Sequence, residues 1–157
     1  MKQLGQTILM VAFILVATTG KPFAAQMEDE IELTREVIQT QRKAIIAKNM
    51  QFTEEESQAF WPVYNVYREA MRKVGDRKVK LISSYADNYR DLTDEEAKGL
   101  LAEFLKIQKA EWKVKKKFVR KFRKALSEKK VMRFYQVENK LDAIVNVQLA
   151  ADIPLAK

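Results

Sequence analysis

Between residues 23 and 153 the chain contains a single proline, Pro62, and two glycines, Gly75 and Gly99. Gly and Pro punctuate secondary structure, and tight turns, bulges and Gly-rich phosphate loops depend on them. A stretch so poor in both is ill suited to a turn-rich β-sandwich. Apolar residues make up 47% and charged residues 32% of the 157 residues, enough for a packed core under a charged surface in one domain. The chain is therefore expected to be all-α. It contains no Cys and no His. Disulfide scaffolds, thiolate zinc sites, Cys nucleophiles and His-dependent triads are thereby excluded.

Residues 1–25 have the layout of a secretory signal peptide. Lys2 supplies the positive start, Ile8 to Ala17 form an apolar run of ten, and the small residues Thr18, Gly20, Ala24 and Ala25 follow. Ten residues at ~1.5 Å each reach only about half-way across a ~30 Å hydrocarbon core. Export with cleavage between residues 20 and 26 is expected, leaving a single helical domain over 26–157 in the periplasm.

Three helix starts share one pattern: an apolar residue, a hydroxyl residue, then acid. They are Phe52-Thr53-Glu54-Glu55-Glu56, Leu92-Thr93-Asp94-Glu95-Glu96 and Leu126-Ser127-Glu128. Thr53 with Glu56, and Thr93 with Glu96, have capping-box spacing, in which each side chain satisfies the other's backbone N–H. Ser127 caps without the reciprocal half, because Lys130 stands at the third helical position. Downstream of Thr53, Phe60, Tyr64, Tyr67, Met71, Val74, Leu81 and Tyr85 keep a helical rhythm. Pro62 falls within it and is expected to kink the helix. Downstream of Thr93 the expected core stripe is Ala97, Leu101, Phe104, Gln108, Trp112, Phe118 and Phe122, and downstream of Ser127 it is Val131, Phe134, Leu141, Val145 and Leu149. Ile31 to Ile46 suits a first helix. The expectation is four helices, with the two long ones over 54–90 and 94–126 folded as an antiparallel hairpin. The whole should be elongated and dimeric, because such rods leave apolar faces to cover.

Charge is sorted along the chain. Residues 26–60 carry four basic and eight acidic residues, whereas 106–133 carry thirteen basic residues against only Glu111 and Glu128. The second stretch interleaves Trp112 and Phe118 with Lys113, Lys116, Lys117, Arg120, Arg123 and Lys124. A basic amphipathic helix can bind anionic membrane, acidic polysaccharide or an acidic protein segment. The same pattern also fits a solvated face whose Lys and Arg stems shield apolar surface. Export removes nucleic acid from the expected partners. The acid triplets at 54–56 and 94–96 suit the positive ends of helix dipoles better than a glycosidase pair or a metal site. Phe60, Trp61, Tyr64 and Tyr67 suit a core cluster better than a groove. No nucleophile, base and orienting group converge, so no enzyme, no cofactor and no metal are expected.

The leader, the helical mature chain, the basic surface and the starts FTEEE and LTDEE together resemble the Spy/CpxP family of periplasmic proteins, marked by LTxxQ repeats. Phe52 replaces the leading Leu of the first repeat, and Leu92 keeps it in the second. Glu56 and Glu96 stand where the family has Gln, and either residue closes a capping box. The resemblance implies a cradle-shaped homodimer of long bent helices, acting as an ATP-independent chaperone or an inhibitor of envelope-stress signalling. Relatives that sense metals do so through His, which this chain lacks. Two functions are therefore expected candidates: a holder of unfolded or acidic protein clients, or an envelope-associated protein whose basic helix binds anionic lipid, polysaccharide or a membrane sensor.

Overall fold

A computed structural model describes residues 23–156, and among them every regular element is helical. The apolar run of the expected leader lies outside the described residues. The helices are α1 (Phe23–Met50), α2 (Glu54–Asn88), α3 (Asp94–Phe122) and α4 (Glu128–Asp152). The chain divides into two compact units between Ile45 and Ile46. The first contains α1 up to Ile45, a continuous helical segment. The second holds the last turn of α1 and everything after it, and the remaining description concerns this second unit.

Local chemistry sets where α2, α3 and α4 begin. The Thr53 hydroxyl accepts the Glu56 N–H at 3.2 Å while the Glu56 carboxylate accepts the Thr53 N–H at 2.9 Å. Thr93 and Glu96 repeat the arrangement at 3.3 and 2.9 Å. Each such cap contributes about 1 kcal/mol. Ser127 accepts the Lys130 N–H at 3.4 Å. The three acids in the first turn of α2, and the three in that of α3, lie at the positive end of the helix dipole. α1 stops at Gln51, whose φ of 47° breaks the helical path at a cost that Gly would not incur.

Packing converges on aromatic rings. Phe60, Tyr64 and Tyr67 of α2, Phe118 and Phe122 of α3, and Phe134 of α4 are all buried, with Ile46, Met50, Leu126 and Val131 around them. Phe122 and Phe134 lie 4.5 Å apart between ring centroids, and Phe60 lies 5.4 Å from Phe122 and 5.2 Å from Phe134. Tyr67 meets Phe118 edge-on at 5.4 Å. Such pairs contribute roughly 0.5–1.5 kcal/mol each beyond the area they bury. α2 continues through Pro62. The ring is on the exposed side of the helix, where water can serve the Gln58 carbonyl that loses its donor.

Beyond this hub the contacts become polar. Glu138 is 1% exposed and pairs with Arg68 at 3.6 Å. Lys115 of α3 reaches Asp142 of α4 at 3.1 Å and Glu111 of its own helix at 2.6 Å, and the Tyr135 hydroxyl donates to the Lys115 carbonyl at 2.8 Å. Further along, α4 is tied to α2 instead: Lys78 donates to Asn146 at 2.7 Å and Tyr85 to the Pro154 carbonyl at 2.8 Å. On the α2–α3 side, Arg77 pairs with Glu103 at 2.7 Å.

Three expectations are corrected. α3 ends at Phe122 rather than 126, because the next residues make tighter bonds, Lys124 N–H to Lys121 and Ala125 N–H to Phe122. This winding places Leu126 in the core before Ser127 starts the next helix. The core stripe of α3 is also rotated in its first two-thirds, while Phe118 and Phe122 are buried as expected. Ile107, Phe118 and Phe122 are buried and Leu100 and Val114 half-buried, whereas Leu101, Phe104, Gln108 and Trp112 are exposed. In α4, Val145 is likewise exposed rather than buried.

Candidate functional site

The basic stretch runs along α3, through the turn after it and into α4. Lys113, Lys116, Lys117, Arg120, Arg123 and Lys124 are all exposed, as is Trp112. Phe118 is not. Its ring is 2% exposed, packed against Tyr67 and Phe122, so it belongs to the core and is removed from the candidate binding surface. It fails as a surface residue because it falls on the buried face defined by Val114 and Phe122, four residues away on either side.

Partners sort the thirteen basic residues of 106–133 into two groups. Four make ion pairs: Lys106 with Glu103, Lys115 with Glu111 and Asp142, Arg123 with Glu128, and Lys130 with Glu56. The other nine have no carboxylate partner among the described residues. Two of these nine sit over rings instead. The Lys116 ammonium lies 4.7 Å from the Trp112 ring centre and Lys121 lies 4.7 Å from that of Phe118. The result is a positive face whose excess charge the fold does not neutralise.

Lys130 has a role that capping logic alone did not reveal. Where a capping box would place Glu, it crosses to α2, bonding the Glu56 carboxylate and the Gln51 carbonyl. One carboxylate thus closes the cap of α2 and anchors the start of α4. The Lys130 bond, with the Thr53 N–H, holds Glu56 below the ordinary carboxylate pKa. A lowered folded-state pKa stabilises the protein fully above about 4.5 and loses that stabilisation as pH falls through the lowered value. Lys130→Met should therefore be less stable than the parent near neutrality, and the gap should close in acid. Denaturant titrations at the two extremes check this, and a pH-independent gap would refute the linkage.

Elsewhere the titration shifts follow packing. Burial raises Tyr135 to about 12, with Glu138 adding to the shift. Lys115 pays desolvation, but its bonds to Glu111 and Asp142 outweigh it and raise its pKa. Among the described residues, no group of three or more acids gathers as a metal site would need. An open groove of about 210 Å³ lies between α2 and α3 near Arg77, Leu81, Leu100 and Glu103. Its Arg77 and Glu103 pair with each other across the groove.

Leu101 and Phe104 are the apolar residues that sequence reasoning placed wrongly, in the core; Trp112 was expected in the core stripe and on the binding surface, and it is exposed, as is Leu105. Leu101 and Leu105 are 59% and 58% exposed, Trp112 58% and Phe104 43%. A signal was available: α3 carries two apolar stripes offset by one residue, and a helix has only one core-facing side. No protein-family model, curated protein or solved structure matches the chain.

Proposed function

We propose that the protein is an exported, non-enzymatic binding protein of the Spy/CpxP kind that holds unfolded or acidic polypeptide segments without ATP. The observation that carries this reading is the group of nine exposed or partly exposed basic side chains without carboxylate partners. Helix propensity does not require them, since Glu forms helices equally well and would add favourable pairs along α3. A face selected only for solubility would mix the signs. Long-range attraction draws an acidic segment to this face, and looser apolar contact follows. In this reading α2 and α3 form an antiparallel hairpin, a second copy completes the binding surface, and the leader directs the chain to the periplasm.

The test is Lys116→Glu, Arg120→Glu and Lys124→Glu together. The triple variant should fold as the parent does, because none of the three side chains is buried or paired with an acid. It should lose suppression of aggregation of an unfolding acidic protein at stoichiometric ratios. Added salt should weaken the parent in the same direction, since attraction is screened beyond ~8–10 Å at physiological ionic strength. Equal suppression by both proteins at every salt concentration would reduce the stretch to a solvated face.

A further inference from the structure

We propose that the outer face of α3 docks the protein on the surface of an anionic phospholipid bilayer. The proposal starts from how α4 is held. α4 meets α3 through the Phe134 and Tyr135 rings at Phe122 and through Tyr135 and Asp142 at Lys115, whereas Asn146 and, past the end of α4, Pro154 make their polar contacts with α2. On the half of α3 before Lys115, the apolar side chains Leu101, Leu105 and Trp112 are exposed. Leu101, Leu105 and Trp112, with the polar Gln108 between the last two, follow steps of four, three and four residues. At 100° per residue they fall within about 60° of the helix circumference, along about 16 Å of its length. Phe104 flanks them on the core side.

The adjoining sector on the other flank is rich in basic residues. From Lys98 to Arg120 it holds seven basic residues and no acid, among them Lys109, Lys113 and Lys116. An apolar ridge bordered by Lys and Arg is the chemistry of a helix lying in a membrane interface, with its apolar side chains among the acyl chains and its cations at the headgroups. Trp112 stands where the two sectors meet, with the Lys116 ammonium over its ring. Trp prefers the headgroup level for the same reason, an apolar body with a polar edge. The stripe lies along one helix rather than between two, so it can enter a planar interface but gives no trough for an extended peptide. Among the described residues no helix is long and apolar enough to cross a membrane, so the contact is with the surface. Docking is distinguished by Leu101, Leu105 and Trp112, whereas client holding rests on Lys116, Arg120 and Lys124, the first two of which also border the ridge.

The protein has two tryptophans, Trp61 and Trp112. In a Trp61→Phe variant with a melting curve like the parent's, Trp112 reports alone. Its emission should shift to the blue on vesicles of equal parts phosphatidylglycerol and phosphatidylcholine, should be quenched by brominated acyl chains, and should stay unchanged on phosphatidylcholine alone. Adding Leu101→Gln and Leu105→Gln should weaken partition roughly tenfold or more, while suppression of client aggregation persists. The proposal is overturned if anionic vesicles leave the emission unchanged or if the leucine variant partitions like its parent. It is also overturned if only an acidic unfolded polypeptide, and no vesicle, shifts Trp112. Loss of client holding in the charge-reversed triple variant with vesicle binding retained by its parent would leave docking standing and test holding alone.

Discussion

Phe122→Ala is expected to destabilise the protein by about 3–5 kcal/mol, the largest effect of any single substitution considered. The ring is fully buried and lies within 5.7 Å of Phe60, Tyr67 and Phe134. Truncation removes the apolar transfer free energy and leaves a hole between three helices whose neighbours are themselves rigid rings. Such rings collapse into a cavity poorly, so the cost should sit at the upper end of the range. Because whole domains are stable by only about 5–15 kcal/mol, the variant should unfold at markedly lower denaturant. Urea unfolding followed by circular dichroism measures this. A midpoint shift equal to that of an exposed substitution such as Val66→Ala would show that the rings do not form the stabilising centre.

Arg68→Ala is expected to destabilise the protein by roughly 1–3 kcal/mol, because it removes one charged partner of the buried Glu138 carboxylate. The comparison that isolates the mechanism is Arg68→Met with Glu138→Met. Removing both charges together also removes the cost of keeping a carboxylate and a guanidinium away from water, so the double variant should be closer to the parent than Arg68→Ala is. Unfolding free energies for the three proteins decide it. If the double variant is the least stable, the pair stabilises the fold in its own right and the cost of keeping the charges away from water is not the controlling quantity.

The helix starts were legible in the sequence because capping is a contest settled within four residues. Thr53, Thr93 and Ser127 bond the next turn of their own helices, and no distant residue is needed to recognise them. The buried side of α2 was legible for a related reason: Phe60, Tyr64, Tyr67 and Val74 occupy one face, and no second apolar stripe competes with it. α3 has two such stripes, and which one turns inward depends on where α2 and α4 lie. The charged residues of the interior were hidden for the opposite reason. Glu138 falls four residues after Phe134 on the inward face, so it reads as an interruption of the apolar pattern until Arg68 is seen across from it. For the candidate surface, the residue types were readable but not their pairing. Lys115 and Lys116 are neighbours in sequence, yet one is locked between two carboxylates and the other lies over Trp112.

The way Lys130 clasps the start of α2 bears on when the chain can fold. Lys130 lies 74 residues after Glu56 and 79 after the Gln51 carbonyl that it also bonds. Phe134, which completes the aromatic centre, comes later still. A growing polypeptide therefore has no finished nucleus until most of its length has been synthesised, because the contacts that close it join distant parts of the chain. Until then α2 and α3 possess their caps and part of their packing, but nothing yet joins the first capping box to the last helix.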